Sequence, residues 1–151
     1  MATPTDGITK ARISGTGGTS SNDQYGGIIA ELRYSPKQDR AWVRAKWDLT
    51  EQHPDGYLYL GTGFTIALQG EVKNSSGVKS WVTIDTTDLP NRFRSDGFYG
   101  ENDLHDPDTF TKPSGTTRTK RFRVKLHTGS ANDYAHINDN RNYYSAAAYL
   151  K

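Results

Sequence analysis

The sequence predicts an all-β fold: a single-domain antiparallel β-sandwich, jelly-roll or Ig-like in type, behind a Gly/Ser/Thr-rich N-terminal tail. Three observations predict it. Apolar and polar residues alternate with a period of two along several segments, which is the signature of strands with one face buried. Short clusters of Pro, Gly, Asn, Asp and Ser separate those segments, as turns require. Aromatic side chains (nine Tyr, five Phe and three Trp) supply burial area that the aliphatic content does not. Leu, Ile, Val and Phe number only 26 of 151 residues. A net charge of +2 is too small to place such a chain among disordered ones. The expectation is a folded domain with a thin core and long polar loops.

Residues 1–26 read as a tail or linker, and residues 27–151 as the β-domain. Within the tail, Ile8, Ala11 and Ile13 make one short apolar alternation, and Ser14 to Asp23 has the composition of a flexible linker. The first clear strand begins at Gly27, with Ile28, Ala30, Leu32 and Tyr34 on one face and Ile29, Glu31 and Arg33 on the other. Ser35-Pro36-Lys37-Gln38-Asp39 follows as a hairpin turn. Its return strand puts Ala41, Val43, Ala45 and Trp47 on one face and Arg40, Trp42, Arg44 and Lys46 on the other. His53 to Gly56 is a second turn. Strands are expected at 57–60 and 64–72, broken by Gly61 and Gly63. After the Asn74-Ser75-Ser76-Gly77 turn, Val78, Ser80, Val82 and Ile84 alternate with Lys79, Trp81 and Thr83. Residues 85–117 lose the alternation and read as a long loop. Lys120 to His127 is the last clear strand, with Phe122, Val124 and Leu126 inward. Tyr143 to Leu150 fits a strand or a short helix, the alanines favouring helix locally.

Some chemistries are excluded outright. With no cysteine there is no disulfide, thiolate nucleophile or thiolate zinc site. His53, His105, His127 and His136 show no metal-ligand spacing, and no nucleophile elbow or phosphate-binding loop is present. No cofactor is expected, and neither a signal peptide nor a membrane-spanning run stands in this sequence. A secreted or surface location is expected, with a cytoplasmic one left open.

Three constellations remain. Trp42 and Trp81 fall on polar strand faces beside Arg40, Arg44 and Lys79. Flat indole rings among hydrogen-bond donors suit stacking against a sugar or another ring, so these five are the candidate ligand-binding residues. The same pattern fits rings covered by a neighbouring layer or subunit. Arg121, Arg123, Lys125 and His127 form an outward basic row suited to a polyanion, although charges on an edge strand also guard against aggregation. Between Asp85 and Asp108 the chain is rich in acids (Asp85, Asp88, Asp96, Glu101, Asp103, Asp106, Asp108) but lacks a calcium-loop series. No metal site is assigned, and whether 96–108 takes calcium stays open.

The expected function is therefore a non-catalytic surface or extracellular binding module, with carbohydrate its leading ligand. One alternative is a structural subunit of a larger assembly, a homo-oligomer clasped through the N-terminal tail. Another is a small nuclease or toxin, with His127, Arg121 and Arg123 beside Glu71 or His105. The weak overall charge makes nucleic acid the less favoured partner.

Overall fold

The computed structural model describes residues 3–15, 27–48, 57–59, 63–90, 92–94, 98–129 and 140–151. The tail stretch 16–26, the turn at His53, and the residues Gly61, Asp96 and His136 lie outside the described residues. The described chain is all-β, without helix: β1 Ile8–Gly15, β2 Gly27–Ser35, β3 Arg40–Asp48, β4 Tyr57–Tyr59, β5 Thr65–Asn74, β6 Lys79–Asp88, β7 Arg92–Arg94, β8 Phe98–Glu101, β9 Thr116–Thr128, β10 Arg141–Tyr144 and β11 Ala148–Tyr149. No helix is long and apolar enough to cross a membrane.

Two antiparallel sheets carry the fold. One has four strands in the order β1-β2-β3-β8; the other has β10-β9-β5-β6, with β11 also paired to β9. β4 and β7 form a separate two-stranded pair. The period-two residues do what their pattern requires. Ile28, Ala30, Leu32, Tyr34, Ala41, Val43 and Ala45 of the first sheet meet Ile66, Leu68, Val72, Phe122, Val124 and Leu126 of the second in one core cluster.

Two differences from the sequence expectation, and one choice it left open, have structural causes. Residues 8–15, read as part of a tail, are an edge strand paired with β2 across Ile8–Tyr34 to Gly15–Ile28. The polar residues among them hid that strand. Residues 85–117 do not form one loop, because they complete β6 and supply β7 and β8. Asn102 and His105 then tie the following coil to β3, His105 and Ala41 exchanging backbone hydrogen bonds of 2.8 Å each way. Finally, the C-terminal alanines do not form a helix. Ser145 docks on β9, its amide donating to the Val124 carbonyl and its hydroxyl accepting from the Val124 amide, each at 3.0 Å. Sheet pairing overrides the local helix preference.

The basic strand is interior. β9 lies between β5 and the β10/β11 edge, so its row of charges does not serve as edge protection.

Candidate binding face

The structure divides the five predicted ligand residues between two sheets. Trp42, Arg40 and Arg44 belong to β3, whereas Trp81 and Lys79 belong to β6.

Trp42 does face outward from the four-stranded sheet, yet it is 0% exposed. The segment Thr3–Gly7 closes over it. Gly7 packs so tightly that an added Cβ would stand 2.8 Å from Trp42 Cη2. Arg33 Nη2 donates to the Gly7 carbonyl at 2.9 Å, and Thr3 Oγ1 donates to Glu101 Oε2 at 3.3 Å. Asp6 fastens the segment to the hairpin turn, accepting from Ser35 Oγ at 2.6 Å and from the Lys37 amide at 2.9 Å. Those two bonds hold the Asp6 carboxyl below its ordinary value. The indole Nε1 donates to Glu101 Oε2 at 2.9 Å. Trp42 is therefore a packed, satisfied residue, and its assignment as a sugar platform is withdrawn.

Its neighbours are engaged too. Arg44 Nε donates to Glu31 Oε1 at 2.8 Å. Burial pushes the Glu31 carboxyl up, but the Arg44 guanidinium, with Lys46 and Thr9, outweighs it and holds the group below the ordinary range. Arg40 Nη1 donates to the Asp39 carbonyl at 2.9 Å, on the turn and apart from the rest.

The outer face of the five-stranded sheet is different. Register places Thr83, Gln69 and Arg123 in one row across β6, β5 and β9. Lys125 and Tyr144 share the next row toward one end, followed by His127 and Asn142. Toward the other end stand Trp81, Glu71 and Lys79, with Arg121 opposite Tyr149. Trp81 and Lys79 thus come together with Arg121, Arg123, Lys125 and His127, two sequence constellations on one surface.

At its centre is Arg123. The guanidinium carbon lies 4.2 Å from the Trp81 ring centroid and 4.1 Å from that of Tyr144, well within cation–π range. Its Nε donates to Gln69 Oε1 at 2.7 Å, while Gln69 Nε2 donates to Thr83 Oγ1 at 3.1 Å. Burial lowers the Arg123 pKa from its ordinary value, with Tyr144 and Glu71 acting against that shift. Beside it, Arg121 grips Glu71 through Nε at 2.9 Å and Nη2 at 2.6 Å, and Thr119 adds a bond of 2.7 Å. Hydrogen bonding to Arg121 keeps Glu71 ionised below the ordinary carboxylate range. His127 Nδ1 is 2.8 Å from Asn142 Oδ1.

Comparison with known proteins finds no matching family model, curated protein or solved structure.

The acidic and histidine candidates fall elsewhere. His105 pairs with Asp85 at 2.8 Å, away from His127. Asp39, Asp106 and Asp108 bring carboxylate oxygens within 4.8 Å of one another. Lys151 Nζ lies 3.2 Å from both Asp39 and Asp108, and Lys120 Nζ 2.9 Å from Asp108, so this cluster holds its own cations. A cleft of about 420 Å³ opens beside it, lined by Pro107, Phe122, Tyr149 and Leu150 among others. Its charged groups, Asp108, Lys120 and Lys151, are already paired with one another.

Sequence reasoning missed Tyr144, Tyr149 and Gln69. Tyr144 was visible as the last aromatic before the alanines, but only the β10–β9 register puts it beside Arg123.

Proposed function

We propose that the two sheets stack as a β-sandwich and that the chain is a non-catalytic surface or extracellular binding module. Carbohydrate is taken on the outer face of the five-stranded sheet. One observation carries this reading. An interior strand presents Arg123 between Trp81 and Tyr144, on a face where Tyr144 is 41% and Tyr149 60% exposed. Edge protection does not account for such a face, because β9 is an interior strand. Sugar rings offer apolar CH faces to stack on aromatic rings and hydroxyls to meet Gln, Arg and Asn side chains.

The test is binding of the full chain to a broad glycan array, followed by titration of the hit against Trp81→Ala. The expected result is a hit whose affinity falls about tenfold or more when the ring is removed, with near-UV circular dichroism showing an intact fold. An array without a hit, or a Trp81→Ala protein that binds undiminished, overturns the proposal. RNA degradation that His127→Ala abolishes would replace it with the nuclease reading.

A further inference from the structure

Arg123 has no carboxylate partner of its own among the described residues. Its Nε is committed to Gln69. Neither terminal nitrogen meets an acceptor among the described residues. The nearest carboxylate, Glu71, is taken by Arg121 on both oxygens and by Thr119. The guanidinium is nevertheless held in place by two rings and the Thr83–Gln69 relay. Its fork is therefore pre-ordered before any ligand arrives, which reduces the entropy lost on binding.

Lys125, two residues along the same face, also has no carboxylate partner among the described residues. Strand geometry spaces it about 6.6 Å from Arg123. Among the described residues Asp88 is the other acid on this face, opposite Thr65 on the edge strand β6. A neutral sugar would satisfy the stacking but leave the fork without an anion. Charge-assisted, bidentate contacts to carboxylate or sulfate are roughly twice as strong as neutral ones.

Resting on the carbohydrate reading, we propose that the sugar is anionic, its carboxylate or sulfate seated on the terminal nitrogens of Arg123 and within reach of Lys125. Nucleic acid is the poorer fit. Tracking a phosphate backbone takes a longer stripe of available cations, whereas here Arg121 is consumed by Glu71 and His127 is bonded to Asn142.

The test titrates the full chain, at about 0.15 M salt, with four probes of similar length: a neutral cello-oligosaccharide, an unsulfated uronate-containing oligosaccharide, its sulfated form, and oligouridylate. The expected result is that at least one acidic sugar binds about tenfold or more tighter than the neutral one. Which of the two acidic sugars wins tells carboxylate from sulfate. Arg123→Lys, which keeps the charge and removes the fork, should abolish that preference, whereas Trp81→Ala should weaken neutral and acidic sugars alike. Equal binding of neutral and acidic sugars, or an acidic preference that survives Arg123→Lys, overturns the anionic assignment and leaves the carbohydrate reading standing. Failure of all three sugars overturns both. Tightest binding to oligouridylate would make the face a single-strand nucleic-acid site instead.

Discussion

Trp42 and Trp81 start from the same sequence signal, an indole on the polar side of an alternating strand, and end in opposite environments. What separates them is cover. Above Trp42 lies Gly7, close enough that any side chain there would intrude on the indole; above Trp81 lies a guanidinium from β9, reaching across the intervening β5. Gly7→Ala is therefore expected to destabilise the protein by about 1–3 kcal/mol, the usual penalty for forcing extra volume into a packed contact. It should also shift tryptophan emission to the red as the segment lifts and Trp42 meets water. Chemical denaturation and fluorescence together check this. Unchanged stability with unchanged emission would mean that the Thr3–Gly7 segment does not cover the indole in solution. Sequence periodicity tells which face of β3 carries Trp42, but the cover comes from another part of the chain, where no local pattern announces it.

At the scale of elements, most of the long strands were legible. β2, β3, β5, β6 and β9 follow the alternation, and the inward residues Leu32, Val43, Leu68, Val124 and Leu126 are all fully buried. The signal failed where strands are short or mostly polar, as in β1, β7 and β8, because too few residues alternate to establish a period. The candidate site was half legible: its basic row and Trp81 were in view, but their meeting depends on the β9–β5–β6 register, a long-range property. One residue of β5 shows the same limit. Gly70 sits in the middle of a buried strand, where glycine is ordinarily unfavourable. An added Cβ there would stand 2.6 Å from Phe110 Cζ and 3.2 Å from Ile84 Cδ1. Phe110 comes from the coil after β8 and packs edge-on against Phe122, with ring centroids 5.9 Å apart. The glycine makes room for that ring. Gly70→Ala should lower stability by about 1–3 kcal/mol, measured as a drop in the denaturation midpoint. If the midpoint rises instead, as replacing a strand glycine otherwise favours, Phe110 does not occupy that space.

Across the whole molecule, five carboxylates that stitch together separate elements, Asp6, Glu31, Asp39, Glu71 and Asp108, are held below their ordinary values. Asp6 joins the N-terminal segment to the β2–β3 turn through Ser35 and Lys37. Glu31 ties β2 to β3 through Arg44, and Glu71 ties β5 to β9 through Arg121. Asp39, lowered first by the Tyr34 hydroxyl, and Asp108, lowered by Lys120 and Lys151, anchor the C-terminal residue. In the unfolded chain these groups return to about 3.9 for Asp and 4.3 for Glu. The unfolded state thus binds more protons in the window just below those values, and stability rises with pH there. The stabilisation is present in full above about pH 5 and is lost as pH falls through the depressed values of the native state. Tyr34 works the other way. Burial, reinforced by its 2.6 Å bond to Asp39, pushes its hydroxyl up to about 12. That contribution is intact below the unfolded value of about 10 and disappears as pH rises through the folded one. Urea midpoints measured from pH 7 to pH 3 should therefore hold nearly level to about pH 5 and then fall. Glu71→Gln should flatten the fall by removing one titrating group while lowering the plateau at pH 7. A midpoint that stays level down to pH 3 would show that these ion pairs do not form in solution, and with them would go the ordering of Arg121 beside the binding face.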